Sequence, residues 1–476
     1  FFPEKRPFFL EGIEVFRTPI QAVNTRAIVD PDYAVKLTGK RGRNTFGLLV
    51  ASDNAPGNYG EEDRAKPDLQ KFIDKNALIG VLRLKRDIGN TDSNIGLVAT
   101  TYNFIERRNQ LGGLDGRFRL NPQTIASFQL LATTSRRLFF DSDQNENIYR
   151  RGDGFAYSWS YDKTGRNLGY IFSGEGRTRD YRAGVGFTRR TNTNRENLFV
   201  RYSTDPKPSA KLISMRVTSG IRSSFDWQRR IQNWESESRI GFTLQRQTFF
   251  ALGYEGGYDR LFEEEFGPKR TATQQGAFFG PDSERSTYRQ TFYIDGETAP
   301  TKKYSASMFA AYSRGDFDFD FGAGRRFPRV SPAALLDTDA PLDPGPGDSV
   351  NINIDFDYQP TDALRASFEY TKSRLTRNDT RRVAFEDNVF SLRTTYQFTR
   401  FTFARVRLDY TTLSSRVRGQ FLLGWTPNPG TSFYVGYNDD LNRNGYSPFT
   451  DQLEPGFRRN GRTFFIKMSY LIRRSL

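Results

Sequence analysis

One segment, Ser349–Gln359, constrains the fold of this chain more than any other. Every second residue from Val350 to Tyr358 is apolar, and every residue between them, from Asn351 to Gln359, is an amide or a carboxylate. Successive side chains of a β-strand point to opposite faces, so this is a strand with one apolar face and one polar face. The pattern recurs along almost the whole chain in segments of about ten residues. This repetition is typical of a transmembrane β-barrel.

The composition supports the same fold class. The chain of 476 residues has 43 Phe and 23 Tyr, yet its mean hydropathy is only −0.67. This combination fits a barrel with lipid outside and water inside better than a soluble protein with a dry core. The sequence has no run of about eighteen apolar residues, so it predicts no transmembrane helix. A chain that crosses the membrane with strands must close its sheet, because hydrocarbon cannot satisfy open strand edges.

The sequence contains no Cys and no His. This excludes disulfides, redox CxxC sites, zinc sites built on His or Cys, and the Ser-His-Asp and Cys-His catalytic arrangements. An enzyme would have to use carboxylates, Lys, Tyr or Ser. We therefore predict that the chain is not an enzyme, with a carboxylate-based hydrolase as the alternative.

The formal net charge is +15 and the isoelectric point is about 9.8. The charges are scattered along the chain rather than clustered, which argues against a nucleic acid partner. Arg residues at strand ends and in loops would instead meet the phosphates of outer-membrane lipid and lipopolysaccharide, or line a lumen that attracts anions. Glycans and envelope proteins are further candidate partners.

The segments with alternating polarity number about twenty-one, from Tyr33–Lys40 to Phe464–Arg473. Single-chain bacterial barrels normally have an even number of strands, so we predict a single closed antiparallel barrel of about 20–22 strands formed by residues 31–476. Residues 1–30 would be a plug or tether that folds into or across the lumen. Short Gly, Pro, Asn and Asp turns alternate with longer connections, as such barrels require. The long connections predicted are Asp53–Asn76, Arg136–Asp153, Arg260–Ser286, Gly315–Asp348 and Asp439–Thr463.

The segment Phe1–Gly12 contains four Phe and two Pro. Pro3 and Pro7 make it a poor helix or central strand, and its Phe side chains need burial. We predict that it contacts the barrel interior, whereas the alternative is a connector that packs across the periplasmic mouth. The side chains predicted to face the lumen are those of Glu4, Lys5, Arg6, Phe8, Phe9 and Glu11.

Two acidic motifs are candidate cation sites. The oxygen-bearing residues of the first have the spacing of a calcium loop, with Gly445 at the bend. Its ligands would be Asp440, Asn442, Asn444, Tyr446 and Asp451. In the second motif, Asp316, Asp318 and Asp320 alternate with Phe residues. This motif would bind a cation or a sugar, or else be the ordinary wet face of a barrel strand. The sequence predicts no other cofactor.

The opening Phe1–Gly12, which reads FFPEKRPFFLEG, resembles the signature of an uncharacterised bacterial family. In that family a carbohydrate-binding module of the family-nine type precedes an outer-membrane β-barrel domain. The resemblance continues through Asp32–Lys40, Leu82–Gly89, Gly184–Arg190 and Phe465–Leu471. It implies a barrel whose sugar-binding module is missing here. The chain begins at Phe1 without Met or a signal peptide, so we expect a mature or truncated product.

These observations lead to three hypotheses for a protein of the bacterial outer membrane. The first is a plugged barrel that acts as a channel, transporter or surface receptor, with glycans or their fragments as possible ligands. The second is a structural barrel with a closed lumen that holds a partner module or an envelope assembly in the membrane. The third is a surface glycan hydrolase that uses paired carboxylates.

Overall fold

The computed structural model describes residues 4–89, 92–428, 430–447, 449–450 and 452–471. This part of the chain is almost entirely β-structure and contains a 21-stranded antiparallel sheet. Its α-helices are short, namely α1 (Pro7–Leu10), α2 (Glu61–Arg64) and α3 (Pro332–Leu336). None of the helices in the described ranges is long and apolar enough to cross a membrane.

The strands follow one another along the chain, and each strand with a defined register pairs with its neighbours in sequence. The first nine are β1 (Pro31–Arg41), β2 (Asn44–Asp53), β3 (Ala77–Ile88), β4 (Ser93–Phe104), β5 (Arg107–Asn121), β6 (Thr124–Asp141), β7 (Glu146–Thr164), β8 (Leu168–Arg177) and β9 (Thr193–Ser203). The others are β10 (Leu212–Phe225), β11 (Ile231–Leu244), β12 (Thr248–Phe262), β13 (Glu284–Thr301), β14 (Tyr304–Asp318), β15 (Gly345–Tyr358), β16 (Leu364–Arg377), β17 (Val383–Thr399), β18 (Thr402–Thr411), β19 (Arg416–Asn428), β20 (Thr431–Tyr446) and β21 (Leu453–Tyr470).

The chain divides into two compact units. The first comprises residues 1–202, 219–235 and 264–275, and the second comprises residues 203–218, 236–263 and 276–476.

The second unit has one continuous apolar face. Its register places Ile354 of β15 opposite Met308 of β14 and Tyr370 of β16, and the apolar positions continue strand by strand to β21. Many of these side chains are exposed, including Phe356 at 42% and Ile466 at 71%. The alternate positions are polar and pair with one another across strands. This arrangement is the two-faced sheet that the alternating pattern of Ser349–Gln359 predicts.

The first unit also exposes an apolar face, to which Leu82, Leu114 and Leu130 belong. Its opposite face, however, is apolar as well in β2–β7. Residues of this face are almost fully buried, among them Leu49, Ala51, Ile79, Val81, Val98, Leu111, Leu131 and Ala156. A sheet with two apolar faces needs a cover on the second face, and residues 4–30 supply it.

The predicted strands are confirmed, because each of the twenty-one segments overlaps an observed strand. The described residues contain 21 strands, within the predicted range but not the even number expected. Two of the predicted long connections are wrong. In the predicted connection Arg136–Asp153, β6 continues to Asp141 and β7 already begins at Glu146. In the predicted connection Asp439–Thr463, β20 continues to Tyr446 and β21 already begins at Leu453. In these extensions the ladder continues although apolar and polar residues no longer alternate, as at Leu138, Phe139 and Phe140 of β6.

A pair of neighbouring residues on β15 tests the assignment of the two faces. We expect Ile354→Arg to lower the free energy of unfolding in lipid vesicles by about 2–4 kcal/mol, because a lipid-facing Arg is costly near the bilayer centre. Asn353→Arg, on the opposite face of the same strand, should change it by less than about 1 kcal/mol. Denaturant titration of both variants measures the difference, and equal effects would contradict the assignment.

Candidate functional site

Residues 4–30 form a compact segment with little regular structure, which we call the N-terminal segment. Pro7 begins helix α1, where its missing N–H is not needed, and the helix ends after one turn. Gly12 then adopts a φ of +65°, which favours glycine, and its Cα lies so close to Thr38 of β1 that a Cβ would be 2.9 Å from the Thr38 hydroxyl. The chain therefore turns sharply against the sheet at Gly12.

Arg6 is the main polar contact that holds this segment in its fold. Its guanidinium donates to both carboxylate oxygens of Glu4 at 2.9 and 2.8 Å and to the carbonyl oxygens of Ile28 at 2.7 Å and Thr25 at 3.1 Å. It also lies 4.2 Å from the centre of the Phe9 ring. One side chain thus joins the start of the segment to its end, and the planar guanidinium suits several acceptors at once.

Glu4 completes this link as the acceptor. Its carboxylate also accepts a hydrogen bond of 2.8 Å from the Thr25 hydroxyl. The hydrogen bonds from Arg6 lower the pKa of Glu4 from 4.5 to about 2, against the opposing effect of burial. Glu4 is therefore charged throughout the neutral and mildly acidic range.

The other four residues predicted to face the lumen occupy different environments. Phe9 is buried at 3% exposure, whereas Phe8 is 40% exposed and has the Lys36 ammonium 4.9 Å from its ring centre. Lys36 also donates hydrogen bonds to the carbonyl oxygens of Phe8 and Glu11. Lys5 and the Glu11 side chain are exposed. The structure thus brings Glu4, Arg6 and Phe9 together but leaves Lys5 apart, and whether these residues face a lumen stays a prediction.

Two polar residues of the strands that the sequence did not single out fix the segment to the sheet. Asp53, which is 1% exposed, accepts hydrogen bonds from the backbone N–H groups of Val29 at 3.2 Å and Asp30 at 2.7 Å. The fully buried Gln129 accepts one of 2.6 Å from the N–H of Ile20. In the sequence both look like ordinary strand residues, and only the position of the segment reveals their role.

The apolar side chains of the segment fill a shallow groove on the sheet. The residues of the segment that are buried there are Phe9, Phe16, Ile20, Ala22, Val23 and Ile28. The groove exists because several of the facing positions are Gly or Ala. At Gly47, for example, an added Cβ would lie 2.8 Å from the Phe16 ring.

The connection of residues 178–192 covers the segment from another side. Its residues Tyr181 and Val185 are fully buried, and burial raises the pKa of Tyr181 to about 12. The N–H of Asn24 donates to the Val185 carbonyl at 2.8 Å, and the N–H of Phe187 donates to the Gln21 carbonyl at 3.1 Å. The N-terminal segment is therefore held between the sheet and this connection.

A cavity of about 450 Å³ lies between the N-terminal segment, the end of β8 and the 178–192 connection. Its charged lining residues are Arg17, Arg26, Arg177, Arg189, Glu4 and Glu175. Four guanidinium groups against two carboxylates leave a formal excess of two positive charges. The electrostatics of the cavity therefore favour an anion.

The residues of the candidate calcium loop lie mostly within a strand. Asp440, Asn442, Asn444 and Tyr446 belong to β20, where alternate side chains are spread along one face rather than gathered around a point. Asp440 forms an ion pair with Arg416, and the amides of Asn442 and Asn444 make hydrogen bonds within the hairpin. Asp451 lies outside the described residues. Calcium binding stays a prediction, to which this geometry adds no support.

The alternating Asp and Phe motif does not continue as one ladder. Strand β14 ends at Asp318, which accepts a 2.9 Å hydrogen bond from Arg377. The fully buried Asp320 accepts from Arg329 at 2.7 Å and from Ser331 at 2.9 Å. Asp318 thus joins the ends of β14 and β16, and Asp320 holds the 319–344 connection in place. Among the residues that the structure describes, no group of three acidic residues is arranged to hold a metal ion.

Comparison with solved structures finds a similar fold in other proteins. No family model matches the sequence, and no curated protein matches it. The copper transporter OprC is 12% identical with a TM-score of 0.50, over 92% of this chain and 78% of that one. The siderophore receptor PirA from Pseudomonas aeruginosa is 10% identical (TM-score 0.46; 93% and 78% covered). The ferric yersiniabactin uptake receptor FyuA from Yersinia pestis is also 10% identical (TM-score 0.42; 91% and 69% covered).

Identities this low show a shared fold and nothing finer, and the comparison with OprC carries that conclusion. The fold and the continuous exposed apolar face together place the chain in the bacterial outer membrane, as the sequence predicts. The three similar proteins are receptors or transporters rather than enzymes. The resemblance of Phe1–Gly12 to a family with a carbohydrate-binding module stays a prediction.

The contacts of Arg6 predict what its loss would do. We expect Arg6→Gln to raise the hydrogen-exchange rates of the Ile20 and Asn24 amides by roughly ten- to a hundred-fold, because hydrogen bonds to a charged group contribute about 1.5–3 kcal/mol. Lys5→Gln removes a neighbouring positive charge from an exposed side chain and should leave these rates unchanged. Equal rates in the two variants would show that Arg6 does not hold the segment.

The low pKa of Glu4 predicts a pH dependence of segment docking. A carboxyl whose pKa is lowered on folding stabilises the docked state above its unfolded pKa of 4.5, and this contribution disappears as the pH falls towards 2. Exchange protection of residues 20–28 should therefore fall between pH 4.5 and pH 2. In Glu4→Gln the dependence in this window should be weaker, with lower protection at neutral pH. An identical pH profile for both proteins would contradict this role of Glu4.

Proposed function

We propose that the chain is a plugged outer-membrane receptor or transporter, in which the sheet closes into a barrel and the N-terminal segment blocks its lumen. The observation that carries this proposal is the burial of the segment against the face of β2–β7 that lies opposite the exposed apolar side chains. If the exposed face meets lipid, the covered face is the interior of the barrel. The apolar face would then bind outer-membrane lipid and the basic strand ends would meet lipopolysaccharide phosphates.

The way in which the segment is held suits a gate. Its apolar side chains are each worth about 1.5–3 kcal/mol when fully buried. Ordering the backbone of an irregular segment opposes this by about 1–2 kcal/mol per residue. Docking therefore depends on a few added contacts, such as those of Arg6 and Asp53. Gates and lids belong to the regions of a protein that open most easily.

In the proposed mechanism, a ligand is captured within the barrel and passes when the N-terminal segment moves aside. The similar proteins are receptors or transporters for a siderophore, ferric yersiniabactin and copper, so they lend no support to a glycan ligand. Glycans stay a prediction from the family resemblance.

Three Phe residues of the N-terminal segment, two buried and one exposed, provide a test of the gate. We expect the double variant Phe9→Ala/Phe16→Ala to raise the conductance of the purified protein in planar bilayers, because both rings are buried in the groove. Phe8→Ala removes the same kind of side chain from an exposed position and should leave conductance low. Deletion of residues 1–12 should raise conductance at least as much as the double variant.

A stable protein that carries no current even after this deletion would contradict the gate. That result would favour the second hypothesis, a structural barrel with a closed lumen. Turnover of glycans by the purified protein would instead favour the hydrolase.

A further inference from the structure

The cavity beneath the N-terminal segment has charges that its own residues do not neutralise. Glu4 is engaged by Arg6, and Glu175 accepts a 3.2 Å hydrogen bond from Arg177. Within the described residues, the side chains of Arg17 and Arg189 form no ion pair and no hydrogen bond. Both are exposed at the cavity, so their guanidinium groups are available to a ligand.

Arg177 provides a second, independent observation. The residue is 5% exposed, and its Nε is buried without a hydrogen-bond partner. Its position is fixed, because its backbone carbonyl accepts a 2.7 Å hydrogen bond from the Trp227 indole. A buried N–H without an acceptor costs about 1–3 kcal/mol. The charged guanidinium of this residue also lines the cavity, where it favours an oxyanion.

The three guanidinium groups come from different elements. Arg17 belongs to the N-terminal segment, Arg177 ends β8, and Arg189 belongs to the 178–192 connection. With no ligand bound, these like charges repel one another. A ligand with several negative groups would remove the repulsion and join the segment to its neighbours.

We propose that this cavity binds a small oxyanion with two or more carboxylate or phosphate groups, and that the bound anion stabilises the docked N-terminal segment. The volume of about 450 Å³ falls within the range of small-molecule sites. Lining by Ile13, Phe16 and Phe187 leaves room for a short carbon skeleton between the charged groups. Anion binding follows from the cavity alone, whereas its effect on opening rests on the proposed function.

The anion and the docked segment are coupled by mass action. A ligand that binds only the docked state stabilises it in proportion to the logarithm of the ligand concentration over its Kd. The bound anion would therefore oppose undocking of the N-terminal segment. Removal of the anion would release the segment without any change in the strands.

The test uses the whole chain in lipid nanodiscs, with citrate and pyrophosphate as probes and NaCl at matched ionic strength as the reference. We expect isothermal titration calorimetry to detect saturable binding of at least one probe. Arg17→Gln/Arg189→Gln should weaken this binding tenfold or more. Arg86→Gln/Arg151→Gln removes two exposed arginines outside the cavity and should leave binding unchanged.

The two probes separate the sources of the ligand. Binding of citrate alone would assign the site to carboxylates, and binding of pyrophosphate alone would assign it to phosphates. Binding of neither, or equal binding to all three proteins, would overturn the proposed site. The cavity variant changes only exposed side chains, so we expect it to fold normally, and its far-UV circular dichroism checks this.

Hydrogen exchange of residues 20–28 tests the second half of the proposal. A probe concentration that just saturates the unaltered protein should slow its exchange tenfold or more, and the same concentration should slow exchange much less in Arg17→Gln/Arg189→Gln. Binding without slower exchange would contradict the effect of the anion on the N-terminal segment, but it would still support the anion site. The hydrogen-exchange result is independent of the conductance experiment, because the conductance experiment tests the gate without any added anion.

Discussion

The structure depends on one constraint, the alternation of side chains along hydrogen-bonded strands. Because neighbours point to opposite faces, each strand can present a different surface to each side, and a shift of one residue would exchange the two. In β12–β21 this produces one apolar and one polar face. In β2–β7 both faces are apolar, and the second is stable only when covered. The need for that cover explains why the N-terminal segment lies where it does.

The N-terminal segment itself has little regular structure. Its longest helix, α1, has four residues, so its order comes from the groove, the 178–192 connection and a few polar contacts. Arg6 and Glu4 close the segment on itself, while Asp53 and Gln129 fix it to the strands. The apolar contacts therefore provide most of the binding between the segment and the sheet. The polar contacts select one arrangement of the segment.

The sequence predicts the strands well because lipid imposes a strict period on them. The prediction of strand ends fails where that period is lost, as in the outer parts of β6, β7, β20 and β21, because backbone hydrogen bonds can continue a strand without alternating side chains. It also predicts that Phe1–Gly12 needs burial, but not that Phe9 is buried and Phe8 exposed. That difference arises from the helical turn of α1, which sends adjacent residues to different sides.

The roles of individual carboxylates and amides were harder to predict from the sequence, for a physical reason. A carboxylate or an amide has the same local pattern whether it binds an ion, pairs with an Arg or accepts a backbone N–H. Asp440 and Asp320 resembled cation ligands in the sequence, yet Asp440 pairs with Arg416 of the neighbouring strand β19, and Asp320 pairs with Arg329 of its own connection. No sequence pattern distinguishes Asp53 and Gln129 from other polar strand residues. Their roles depend on tertiary contacts between positions that are far apart in sequence.

The small residues of the groove have a consequence for molecular engineering. Gly47 and Ala51 lie on the covered face of the sheet, and a Cβ at Gly47 would contact Val15 and Phe16 of the N-terminal segment. Larger side chains at these two positions would occupy that space themselves. If the sheet closes as proposed, the width of an artificial nanopore made from this protein could be adjusted by substitutions in its strands rather than by shortening the chain.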